Sequence, residues 1–259
     1  MTQTWHPDIY LRYQAYRARP AQDLIKQIEL SVDGPIYDLG CGPGNITADL
    51  KKHWPERKLV AVDNSAEMLA QAIEQNHDPR IEWVKADICR WQVEAPAALI
   101  FANASLHWVQ DHDKLFPRLM ESLKPDGILA VQMPVSLGVP YYECMMDVVK
   151  SKKWCAQLQK ITVYREPLDA YHYYDLLSPL SKTLDVWRTD YVHVLEGDNP
   201  VLEWMKGTGL TLYTSVLNET DSSAFQKEYG ERVKDTYPTQ KDGQTLFKMP
   251  RFFLVAKRN

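Results

Sequence analysis

Between Pro35 and Met133 the chain alternates short apolar runs, rich in β-branched residues, with amphipathic stretches. The runs are Pro35–Leu39, Lys58–Asp63, Ile81–Lys85, Ala97–Ala102 and Ile128–Met133. Such alternation predicts βαβ units, whose strands are apolar on both faces because helices cover both sides of a parallel sheet. Two of the intervening helices carry boundary signals of their own. Asn64 and Ser65 offer N-cap oxygens ahead of Ala66–Ala70, and the periodic stretch Asp113–Leu123 is predicted to stop at the turn sequence Lys124-Pro125-Asp126-Gly127.

Beyond Met133 the pattern changes to aromatic-rich helical stretches near 139–155, 168–179, 198–207 and 219–236. Two alternating segments, Thr183–His193 and Phe247–Ala256, sit among them and predict a sixth and seventh strand paired as a hairpin-like edge. The expectation is one α/β domain over residues 1–259: a doubly wound, mostly parallel, seven-stranded Rossmann-like sheet with a helical cap made from C-terminal insertions. Its cofactor-binding core spans about 30–134, and the lid or substrate-shaping segments span about 1–20, 135–182 and 197–244.

Composition narrows the function. A chain of 259 residues with 45% hydrophobic and 25% charged residues can bury a full core, and no apolar run approaches the ~18 residues needed to span a bilayer. The first residues show neither a basic start nor an apolar h-region, so the cytoplasm is the expected compartment. Cys41, Cys89, Cys144 and Cys155 are far apart and lack metal-ligand spacing, which predicts reduced thiols and no metal site. A net charge of −4 without any Lys/Arg block argues against nucleic acid as a partner.

The most informative stretch is Asp38-Leu39-Gly40-Cys41-Gly42-Pro43-Gly44-Asn45, where the first strand hands over to a helix at the carboxyl edge of the sheet. Glycines there let a ligand press on bare backbone. Dinucleotide-binding loops use G-x-G-x-x-G, but here Asn45 stands where that pattern needs its third glycine. A tighter G-x-G-x-G turn led by Asp38 fits S-adenosylmethionine, which has no pyrophosphate to cradle. Asp63, ending the second strand, can accept both ribose hydroxyls, or else start the next helix. Asp87 could accept from the adenine amino group or simply form a turn. Asn103 could contact the amino-acid end of the cofactor, and Arg19 or Arg17, ahead of a Pro20 suited to a helix's first turn, its carboxylate.

These residues resemble the Rossmann-like S-adenosylmethionine-dependent methyltransferases, and the likeness extends along nearly the whole chain. It is carried by Tyr13–Pro20, Asp38–Asn45, Leu99–Trp108, Leu129–Pro134, Val186–Thr189 and Pro250–Ala256. His107 departs from the glutamine found in better-known members, and 140–165 resembles them poorly. Within the family, the likeness is to enzymes that esterify a small polycarboxylic acid. It implies methyl transfer to a carboxylate without a general base, since such an acceptor is already ionised near pH 7. A tricarboxylate would call for cationic or polar partners, and the candidates are Arg188, Arg251, His193, Arg165, His107 and Trp108. Other acceptors remain open: a malonyl thioester carboxylate, or a carbon or oxygen nucleophile of a metabolite.

Overall fold

The computed structural model describes residues 14–159, 161, 167 and 169–259. The elements in chain order are α1 (Gln14–Ile25), β1 (Ile36–Leu39), α2 (Asn45–His53), β2 (Leu59–Asp63), α3 (Ala66–Gln75), β3 (Ile81–Lys85), β4 (Ala97–Asn103), α4 (His112–Glu121) and β5 (Leu123–Pro134). They continue with α5 (Pro140–Val149), α6 (Cys155–Leu158), α7 (Ala170–Leu177), β6 (Ser181–Leu195), α8 (Pro200–Lys206), α9 (Thr211–Thr214), α10 (Glu219–Thr236) and β7 (Thr245–Arg258).

The sheet has seven strands in the order β3-β2-β1-β4-β5-β7-β6. β1 pairs in parallel with β2 and β4, β2 with β3, and β4 with β5, while β7 runs antiparallel to β5. The expected doubly wound architecture is thus present, with β7 inserted between β5 and the edge strand β6. No tight hairpin joins β6 to β7, because α8, α9 and α10 lie between them in the chain.

Local chemistry explains several boundaries. The Ser65 hydroxyl accepts from the Met68 amide at 3.2 Å and starts α3. Asn218 likewise accepts from the Asp221 amide at 2.9 Å, with Glu219 and Asp221 favourably placed in the first turn of α10. The turn expected at Lys124–Gly127 is instead an irregularity inside β5: Leu123 pairs with Ala97, the register shifts, and pairing resumes at Ile128 opposite Leu99. Pro20 differs too, lying inside α1 rather than in its first turn. Its missing N–H forgoes one helical hydrogen bond, tolerated where Ala21, Leu24 and Ile25 bury the same helix against a core.

The chain divides into two compact units, one of Met1–Arg17, Val135–Glu166 and Asp190–Pro250, the other of Ala18–Pro134, Pro167–Thr189 and Arg251–Asn259. The second unit holds the five strands β1 to β5, with Leu39, Val62, Leu99, Phe101, Val131 and Phe253 buried. The first has a separate core in which Trp154, Trp204, Tyr213, Phe225, Tyr229 and Phe247 pack together. Full burial of each such side chain contributes roughly 1.5–3 kcal/mol, so each unit has a hydrophobic reason to hold its own shape.

Candidate cofactor and acceptor site

The loop after β1 is tied to β2, with the amides of Gly40 and Cys41 both donating to the Val62 carbonyl, at 2.7 and 3.1 Å. Its three glycines have different jobs. A Cβ on Gly40 would lie 2.2 Å from the Cβ of Ser105, whose hydroxyl donates to the Leu39 carbonyl at 2.6 Å. A Cβ on Gly44 would come within 2.7 Å of the Trp83 ring. A Cβ on Gly42, at φ +54°, would meet nothing within 4 Å among the described residues. Two glycines therefore serve internal packing, and one presents bare backbone to open space.

Asp63 spans this loop and the next helix. One carboxylate oxygen accepts from the Gly42 amide at 2.9 Å and the other from the Ser65 amide at 2.8 Å. The helix-start role and a ligand role are compatible, because a carboxylate offers about four lone-pair positions and the described residues use two of them. Asp38 is buried and accepts from the Thr47 hydroxyl at 2.6 Å. Burial pushes its carboxyl up to about 7, the Thr47 bond pulling the other way and the charge of Asp63 adding to the rise. Asp87 is exposed and accepts from the Cys89 amide at 2.9 Å, which with its other partners holds its carboxyl below the ordinary value.

Beyond β4, Asn103 is half-buried, and its Oδ1 is enclosed without a hydrogen-bond partner among the described residues. Ala104 takes the left-handed conformation at φ +52°, and Leu106–Trp108 form one 3₁₀ turn. His112 pins that turn, its Nε2 donating to the Leu106 carbonyl at 3.0 Å while Nδ1 meets the Tyr173 hydroxyl at 2.6 Å. His107 is buried and held neutral: burial, then the charge of Arg251, then His112, push its pKa down to about 3. Trp108 is exposed, its ring centroid 4.8 Å from that of His107.

The cationic candidates separate. Arg251 is half-buried at the register position opposite Pro134, in the same unit as His107. Arg188 belongs to that unit too, and its side chain is exposed on β6. His193 belongs to the other unit, where it is buried and stacked on Trp204 at 5.0 Å and 16°. The Arg17 guanidinium lies 5.1 Å from the Trp204 ring centroid in that same unit. Arg19 is exposed, 3.9 Å from Asp23. Arg165 lies outside the described residues.

Sequence reasoning passed over three polar residues. Thr47 and Ser105 fix the glycine loop from side chains distant in sequence, and nothing local marks them. Gln132 carries a legible signal: it is a polar residue in the apolar run Ile128–Met133, fully buried, and an enclosed amide needs a reason. Among the described residues, no group of three or more His, Cys, Asp or Glu is placed to hold a metal ion, and no helix is long and apolar enough to cross a membrane.

A sheet of this order with an antiparallel seventh strand, and a glycine turn baring one Cα beside the carboxylate of Asp63, define a Rossmann-like methyltransferase fold. A sequence profile described as a methyltransferase domain matches residues 36–127. The YcgJ protein of Bacillus subtilis superimposes with a TM-score of 0.61 at 12% identity, covering 93% of this chain and 98% of its own. Trans-aconitate 2-methyltransferase of Yersinia pseudotuberculosis is 42% identical over 255 residues, 98% of each chain. The protein of the same name from an Azoarcus species is 39% identical over 98% of this chain and 99% of its own. The chain belongs to the trans-aconitate 2-methyltransferase family.

Proposed function

We infer that the protein is an S-adenosylmethionine-dependent carboxyl O-methyltransferase that converts trans-aconitate to a monomethyl ester and releases S-adenosylhomocysteine. The observation that carries this is the near full-length relationship to enzymes of that name. The residues present fit the cofactor: the open face of Gly42 would be filled by any Cβ, Asp63 has two acceptor positions left, and the enclosed Oδ1 of Asn103 suits an ammonium donor. On this reading Asp63 takes the ribose hydroxyls, Asp87 the adenine amino group, Asn103 the ammonium and Arg19 the carboxylate of the amino-acid end, while Asp38 and Thr47 brace the loop. Arg251 and Arg188 are the proposed anchors for the carboxylates that do not react, with His193, Arg165, His107 and Trp108 as further acceptor-side candidates. Four unbridged cysteines fit a cytoplasmic setting.

S-adenosylmethionine, held by the open face of Gly42, Asp63 and Asn103, would supply an electrophilic methyl group to an already ionised carboxylate oxygen and leave as neutral S-adenosylhomocysteine. No proton is transferred. The chain's residues act by holding the acceptor in line and keeping water out. Incubating the protein with labelled S-adenosylmethionine and a panel of di- and tricarboxylates should yield a base-labile ester, formed fastest with trans-aconitate. A label that resists mild base would overturn the carboxylate reading.

Two further outcomes follow from the site. Asp63→Ala should weaken S-adenosylhomocysteine binding by about 1.5–3 kcal/mol, since hydrogen bonds to a charged group are lost along with the anchor of the Gly42 amide. Calorimetry giving the wild-type affinity would reduce Asp63 to a helix-start residue. Turnover should show no rise with pH from a general base between about pH 6 and 9, because acceptor carboxylates are already ionised and His107 is already neutral there; Asp38, near 7, would enter such a profile only through cofactor binding, so the measurement is made at saturating S-adenosylmethionine.

His107 also makes a stability prediction. Its folded value of about 3 lies below the unfolded value near 6.5, so in that window the unfolded chain binds the extra proton and stability falls as pH drops. His107→Gln removes this liability. Denaturant titrations should therefore show the variant gaining on wild type between pH 7 and pH 4, and a constant difference would refute the buried neutral imidazole.

A further inference from the structure

We propose that Gln132 binds the reacting carboxylate of the acceptor, donating from Nε2 to the oxygen that does not attack. The proposal rests on the reading of the protein as a carboxyl methyltransferase and assigns one residue to the reacting group itself.

Gln132 is 1% exposed, yet its Nε2 has no hydrogen-bond partner among the described residues. Leaving such a donor enclosed and unpaired is costly, so a buried amide in this state points to a ligand. Its place in the sheet says which. Gln132 stands opposite Asn103 on β4, whose Oδ1 is also enclosed without a partner, and opposite Phe253 on β7. Asn103 and Gln132 thus share one face at the carboxyl end of the sheet, just past the end of β1, where the glycine loop begins. They offer a bare acceptor and a bare donor that do not satisfy each other. An acceptor oxygen matches an ammonium, and an N–H donor matches a carboxylate, so the pair can seat the cofactor's amine and the acceptor's nucleophile side by side.

Charge separates Gln132 from Arg251. Arg251 sits opposite Pro134, two residues further along the same face. A guanidinium bound to the attacking carboxylate would withdraw the charge that makes it a nucleophile. A neutral amide orients it and leaves the charge in place. The arrangement therefore gives the reacting carboxylate to Gln132 and a spectator carboxylate to Arg251.

The test compares Gln132→Met, which keeps size and removes the donor, and Gln132→Glu, which keeps shape and presents acceptor oxygens. Thermal melting first establishes that each variant folds. Acceptor turnover and calorimetric binding of trans-aconitate and of an unsaturated dicarboxylate, mesaconate, are then measured in the presence of cofactor or S-adenosylhomocysteine. Gln132→Met should lower kcat/KM and acceptor affinity by about ten- to a hundredfold for both acceptors alike, and Gln132→Glu by more, while S-adenosylhomocysteine affinity stays within about twofold of wild type. The loss in Arg251→Lys, by contrast, should shrink with mesaconate, which has one carboxylate fewer. An unchanged acceptor affinity and kcat in Gln132→Met overturns the proposal, as does a parallel fall in S-adenosylhomocysteine affinity, which would give the amide to the cofactor. Wild-type protein that binds S-adenosylhomocysteine but esterifies no polycarboxylate would instead sink the functional reading, and the proposal with it.

Discussion

Gly42→Val is expected to abolish S-adenosylhomocysteine binding while leaving a folded protein, and Gly40→Ala is expected to do the reverse damage, to the fold first. The two glycines are neighbours in one loop and both have positive φ, so each variant suffers the left-handed penalty of roughly 1–2 kcal/mol. In a chain of this size that alone lowers the melting temperature by about 2–8 °C. What differs is the surroundings. At Gly42 a Cβ meets no atom of the described residues within 4 Å, so the loop can keep its form and the space proposed for the cofactor is filled instead. At Gly40 even one methyl falls 2.2 Å from Ser105 Cβ, and Ser105 is fastened to the Leu39 carbonyl, so β1 and the start of the β4–α4 connection must part. Overpacking of this kind costs roughly another 1–3 kcal/mol. The measurement is a melting curve beside a calorimetric titration for each variant. Normal S-adenosylhomocysteine heat in Gly42→Val would show that the ligand does not lie on that Cα.

The contrast between those glycines also shows where a sequence stops speaking. The loop motif and its place after an apolar run are local facts, and they are enough to expect a bent, ligand-facing turn. Which glycine keeps an open face depends on Ser105, Trp83 and Ala72, which only the folded sheet brings near. The strands follow the same division. Runs apolar on both sides, such as Leu59–Val62 and Leu99–Ala102, mark a central parallel sheet and were legible because every side chain there is buried. The start of β5 was not, because Lys124-Pro125-Asp126-Gly127 has the composition of a turn, and only pairing between Leu123 and Ala97 carries it into the sheet. The edge strand β6 alternates, and alternation names two faces without saying which is wet; the structure leaves Arg188 exposed. His193 reads equally well as a cation or as an aromatic, and its stacking on Trp204 depends on a partner eleven residues and one helix away. Gln132 was the missed opportunity, since one polar residue inside an apolar strand needs no fold to raise the question.

Replacing Arg251 by lysine is expected to raise the acceptor KM by about ten- to a hundredfold with cofactor affinity unchanged, the range for losing charge-assisted hydrogen bonds. Arg251 is half-buried, and its charge is close enough to help push the His107 imidazole down to about 3. A guanidinium in such a setting gains more from a carboxylate partner than one in water, because the surrounding medium screens less. Lysine keeps the charge, so long-range attraction for a polyanion survives, but the planar fork that grips two oxygens is lost. The split between parameters carries the diagnosis. A spectator carboxylate is held equally in ground and transition states, so its loss appears mainly in KM; a fall in kcat would mean that Arg251 also aligns the nucleophile. Arg188, exposed on the edge strand, should show a smaller rise on the same substitution, since water competes for its guanidinium. If Arg251→Lys leaves the acceptor KM untouched, the anchoring charge lies elsewhere, and Arg165 and His193 become the residues to replace next.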